Sequence, residues 1–172
     1  MPRQTVEEMS ADELSSFAKE IVVRKLSERA HARHELAQAL AKKQVPEGVV
    51  EATLAKFEVA GLIDDEDFAR SWVQARQRGK GLSSRALAME LRRKGIDDDI
   101  AKDVLGELDA DEEVEAAHRL VRTRLRSLSR FDDATKMRRL TGLLARKGYS
   151  SQTAFAVVRE ELGAEAEALE SM

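Results

Sequence analysis

Apolar residues recur along the chain at three- and four-residue spacing. Leu14, Phe17 and Ile21 form one run, Leu36 and Leu40 a second, and Val50, Leu54 and Phe57 a third. This is the period of a helix with one buried face, and no stretch sustains the alternation of a half-buried strand. The chain reads as all-α. Ser10 followed by Glu13 has the spacing of a reciprocal N-terminal cap. Gly61 fits a left-handed helix stop, with Leu62 available for the apolar contact that closes it. Asp64 or Asp65, and later Ser150, suit helix N-caps.

The pattern also repeats. Displaced by 51 positions, Phe17 falls on Phe68, Leu36 on Leu87, Leu40 on Leu91, Lys43 on Lys94, Val45 on Ile96 and Leu54 on Leu105. Displaced by a further 53, Leu87 falls on Leu140, Leu91 on Leu144 and Lys94-Gly95-Ile96 on Lys147-Gly148-Tyr149. The unit is a long helix, a second helix ending in Lys-Gly-apolar, a short turn and a third helix. Pro46, Asp97 and Ser150 hold the matching helix-start slot. Gly95 and Gly148 suit a left-handed stop; Gln44 fills that slot in the first unit, where keeping the geometry costs about 1 kcal/mol. The chain therefore divides into a polar segment over 1–13, three-helix repeats over 14–64, 65–108 and 109–162, and an acidic tail over 163–172. Tandem repeats of this kind stack into elongated, curved arrays.

Charge alters the picture more than composition does. The 172 residues carry a net charge of only −3, but the sign is segregated. Arg70 to Lys94 holds eight basic residues and one acid, and Arg119 to Lys147 holds ten against two. Between them, Asp97 to Glu115 carries ten acids and one lysine. Arginine outnumbers lysine in the basic blocks, which suits clamps on phosphate or carboxylate. The acidic block could instead pair with the basic ones and mask them.

Little else in the sequence carries chemistry. With no cysteine there is no disulfide, thiol nucleophile or Cys-type zinc site. Gly79-Lys80-Gly81 is followed by Leu82 and so lacks the hydroxyl of a nucleotide-binding loop. His31 and His34 have no evident third ligand and read as surface histidines; His118 is solitary. Phe68 and Trp72, one turn apart, read as core. The acids Asp97-Asp98-Asp99 read as a helix start. No metal, cofactor or catalytic residue is expected. The polar N-terminus and the lack of a long apolar run point to a cytoplasmic protein. Without a heptad seam the expectation is a monomer.

One run is specific. Gly61 to Asp65 (GLIDD), Phe68-Ala69, Trp72, Arg76, Gly79-Lys80-Gly81, Glu90-Leu91-Arg92 and Lys94-Gly95-Ile96 follow in order. This run resembles the RecX family, bacterial regulators of the RecA recombinase. Arg29 to Leu36 is similar to the family's first repeat, with Ala32 and Gln44 departing from its usual Ser and Gly. The resemblance implies three tandem three-helix repeats. It also implies binding to the RecA–DNA filament, with inhibition of ATPase, strand exchange and coprotease functions and hence modulation of DNA repair, recombination and the SOS response. No cofactor is implied. The candidate contacts for filament or DNA are Arg70, Arg76, Arg78, Lys80, Arg85, Arg92, Arg93 and Lys94, then Arg122, Arg126, Arg138 and Arg139. Weak binding to naked DNA is compatible with this reading. The alternatives are a DNA-binding helical module without a RecA partner, and a scaffold that holds a partner helix in its concave face.

Overall fold

The structure, a computed structural model, describes residues 4–172. Nine α-helices run through them: α1 Ala11–Glu28, α2 Arg33–Lys42, α3 Glu47–Val59, α4 Asp65–Lys80, α5 Ser84–Arg93, α6 Asp98–Gly106, α7 Ala110–Leu125, α8 Asp133–Arg146 and α9 Ser151–Glu170. No strand occurs among the described residues. No described helix is long and apolar enough to cross a membrane. The acidic tail is largely the continuation of α9.

The helices have the beginnings that their sequence dictates. Ser10 Oγ accepts from the Glu13 amide at 3.3 Å, and the Glu13 carboxylate accepts from the Ser10 amide at 2.7 Å. Ser150 caps α9 through the Thr153 amide at 3.2 Å. Asp64 caps α4 by accepting from the Asp67 amide at 3.1 Å. Asp65 instead accepts from the amide of Arg33 at 2.8 Å, serving the start of α2, whose own N-cap, Ala32, has no side chain able to do so.

The three repeats share one helix stop. The amides of Val45, Ile96 and Tyr149 each donate to the carbonyl five residues back, Leu40, Leu91 and Leu144, at 3.0–3.2 Å. Each of those apolar residues is buried. The residue before it is left-handed: Gln44 at φ 62°, Gly95 at 74° and Gly148 at 93°. A side chain at Gly148 would run into Ser83 and Ala86, so only glycine fits there. Gln44 faces open solvent and tolerates the strain. At Gly61 (φ 73°) the stop forms as expected, with the Leu62 amide donating to the Phe57 carbonyl at 3.0 Å, but the apolar side chain buried beside it is that of Ile63, 4% exposed, and not that of Leu62, which is 61% exposed.

Two compact units result. The first comprises the described residues up to Ser71 with Leu91–Ala101; the second comprises Trp72–Glu90 with Lys102–Met172. In the first, Ile21, Val22, Leu36, Leu40, Leu54 and Phe57 form the core where α1, α2 and α3 meet. A polar cluster adjoins it. Glu35 on α2 binds Lys94 Nζ at 2.5 Å, His31 Nδ1 at 3.0 Å and Arg29 at 3.2 Å. His31 is therefore a buried histidine rather than a surface one, because Glu35 one turn on supplies its partner. Burial alone would push the Glu35 carboxyl up; hydrogen bonds from Lys94 and Arg29 outweigh it and hold the group at about 2. In the second unit Val121, Leu125, Leu140, Leu144, Tyr149 and Val157 form the core of α7, α8 and α9.

Two outcomes follow. Gln44→Gly should raise stability by about 1 kcal/mol in urea denaturation by relieving the left-handed strain, whereas Gln44→Ala should change it little. Glu35 has a folded-state value below its ordinary 4.5, so its stabilisation is complete above pH 4.5 and fades towards pH 2. Glu35→Gln should cost about 1.5–3 kcal/mol at pH 7. The gap between variant and parent should close on acidification; a gap independent of pH would contradict the ion cluster.

Candidate basic binding surface

The twelve sequence-selected cations divide between the units, with Arg70, Arg92, Arg93 and Lys94 in the first and the other eight in the second. They also divide by what they touch. Arg70 pairs with Glu66 one turn back at 3.0 Å, Arg92 lies 3.5 Å from Asp98, and Lys94 belongs to the Glu35 cluster. Arg93 is exposed.

In the second unit Arg76 is part of the framework. Its guanidinium lies 4.5 Å from the Trp72 ring centre, and its Nε is 3.4 Å from Glu90. Trp72 Nε1 donates to the same carboxylate at 2.9 Å, so α4 and α5 are clamped by one acid. Arg122 is held likewise. Its Nε donates to the buried Glu161 at 2.9 Å, which also binds His118 at 2.7 Å, and a second nitrogen meets Glu115 at 3.2 Å. Arg139 stacks on Phe131 at 4.2 Å. The acidic block thus masks part of the basic surface, at Arg92 and Arg122.

Besides Arg93 and Arg139, five selected residues have no carboxylate within 4 Å among the described residues: Arg78, Lys80, Arg85, Arg126 and Arg138. All five are exposed. Two of them, Arg78 and Lys80, line a cleft of about 510 Å³ between the last turn of α4, α7 and the end of α8. The cleft brings in Arg119, Arg124 and Lys147, which the sequence placed in the basic blocks without singling them out. Their clustering follows from α7 facing the 77–81 segment, a long-range pairing that spacing alone does not reveal. Among the described residues no acid lines the cleft.

The wall is fixed by buried bonds. Tyr149 Oη donates to the carbonyls of Gly81 at 2.8 Å and Glu113 at 3.2 Å. The Ser83 amide donates to the Lys147 carbonyl at 3.0 Å. Ser84 donates from its amide and its hydroxyl to the Glu113 carboxylate at 2.9 and 2.5 Å. Burial, with the Glu113 charge, pushes the Tyr149 hydroxyl up to about 12, so it remains a donor through neutral pH. At Gly81, left-handed at φ 62°, a Cβ would come within 2.9 Å of Leu120. Backbone and α7 meet there, closing one end of the cleft. No group of three or more His, Cys, Asp or Glu poised to hold a metal occurs among the described residues.

Comparison with known proteins agrees with the repeats. Residues 18–57, 64–105 and 111–158 match the first, second and third three-helix domains of RecX respectively. The regulatory protein RecX of Amycolatopsis mediterranei is 46% identical over 155 residues, covering 90% of this chain and 89% of its own. That of Mycobacterium tuberculosis is 44% identical over 162 residues, covering 92% and 93%. The crystal structure of RecX from Lactobacillus salivarius superposes with a TM-score of 0.77 at 23% identity, covering 87% of this chain and 97% of that one. The repeats, their shared helix stop and these matches agree: the chain belongs to the RecX family.

Proposed function

We propose that this chain is a cytoplasmic, monomeric regulator that binds the RecA–DNA filament and inhibits RecA's ATPase, strand exchange and coprotease functions, so tempering recombinational repair and the SOS response. The observation that carries the reading is the match of all three three-helix domains to RecX, whose relatives are named regulatory proteins. The unpaired cations support it physically. They leave a protein of net charge −3 with local surfaces able to meet filament carboxylates or phosphates. The function is one of binding, not catalysis.

Titration into RecA's single-strand-dependent ATP hydrolysis tests this. Inhibition is expected below one molecule per RecA and should weaken as salt rises. Arg78→Glu with Lys80→Glu should require about tenfold more protein for half inhibition while the helical fold persists. Arg76 is kept intact because it is clamped to Trp72 and Glu90. No inhibition at equimolar protein would overturn the reading.

A further inference from the structure

We propose that the cleft between the 77–81 segment, α7 and the end of α8 is a track for about four consecutive phosphates of a single nucleic-acid strand, held by its backbone and not read through its bases. The argument starts from charge. Arg78 and Lys80 stand on one wall and Arg119 and Arg124 on the other, with Lys147 also in the lining. None has a carboxylate within 4 Å among the described residues. Such a gathering repels itself, and an anion between the walls relieves the repulsion. Uncharged donors adjoin it: Thr123 and Ser127 line the cleft, and Gln77 Nε2 finds no acceptor among the described residues.

Length and lining narrow the ligand. Along α7 and the 3-10 turn that follows it, Ala116 to Ser127 spans eleven residues of rise, about 16 Å. Phosphates on a stacked strand advance about 3.4 Å each, so about four fit along that wall. With cations on both walls, a single strand between them is contacted from two sides, whereas a duplex touches only the rim. Among the described residues no aromatic side chain lines the cleft, so bases find no stacking platform there. Tyr149 is a positioning residue: its hydroxyl holds the Gly81 carbonyl and thereby the wall that carries Arg78 and Lys80.

The test needs no recombinase, so its failure and that of the filament reading are distinguishable. Binding of the full chain to a fluorescent 20-nucleotide dT strand is followed by anisotropy as salt is varied. About four phosphate contacts on a single strand predict a log–log salt slope near −2.8. Arg78→Ala with Arg119→Ala should reduce its magnitude by about 1.4. Lys102→Ala with Arg159→Ala removes the same charge elsewhere and should leave the slope unchanged. Tyr149→Phe, with all charges kept, should weaken binding several-fold at an unchanged slope. A dA strand should bind within about threefold of dT, because stacking contributes little. Equal slopes in the two double-charge variants would overturn the site. A duplex binding more tightly than the strand would overturn the single-strand assignment. Inorganic tripolyphosphate binding as tightly as the oligonucleotide would make the ligand a free polyphosphate instead.

Discussion

The hydrogen bond that returns from the apolar residue after each middle helix to the carbonyl five residues back organises this chain. It demands a left-handed residue in between and buries the apolar side chain that follows. It also sends the backbone into the start of the third helix, at Pro46, Asp97 or Ser150. In the first repeat the buried residue is Val45 and in the second Ile96, and both serve only packing. In the third it is Tyr149. The same stop that buries its ring delivers its hydroxyl to the Gly81 and Glu113 carbonyls. A local device for ending a helix thus becomes a long-range anchor, and the cleft wall depends on it.

Electrostatics sorts the arginines into two kinds. Those within reach of a partly buried acid are drawn into the framework: Arg76 to Glu90, and Arg122 to Glu161. Removing one partner of such a pair strands the other charge, so these positions are costly to alter. Exposed pairs such as Arg92 with Asp98, both about three-quarters exposed, contribute at most about 1 kcal/mol and hold nothing in place. The cleft cations Arg78, Lys80, Arg119, Arg124 and Lys147 have no carboxylate within 4 Å among the described residues. Clustered on one cleft they oppose folding slightly through mutual repulsion, which is the cost that an anionic ligand would offset.

Local features were legible in the sequence because their causes lie within a few residues. The caps at Ser10 and Ser150, the stops at Gly61, Gly95 and Gly148, and the three-fold repetition all follow from spacing. Gln44 in a left-handed conformation was legible too, by analogy with its counterparts. What escaped needed a partner distant in sequence or a choice between neighbours. Ile63 rather than Leu62 buries its side chain at the Gly61 stop, because the backbone turn directs the later residue inward. Asp65 serves Arg33 across 32 residues. His31 is buried, with Glu35 one turn away tied in turn to Lys94. Of the selected cations, only Arg78 and Lys80 reach the cleft, and Arg119, Arg124 and Lys147 join them through packing alone.

The three repeats show how one architecture separates stability from function. Each needs its left-handed stop, and at Gly95 and Gly148 a neighbouring segment also presses so closely that a side chain is excluded, His34 at Gly95 and residues 83–86 at Gly148. At Gly148 the pressure comes from Ser83 and Ala86, at the start of α5. The same segment donates from Ser83 to Lys147, and from Ser84 to Glu113. Glycine at 148 is therefore required twice, by the backbone angle and by the docking of residues 81–86. Loss of the docking would release Gly81, whose left-handed turn meets Leu120 and closes the cleft. The geometry of the five cations is thus maintained by backbone, hydroxyl and carboxylate contacts that use none of the five charges.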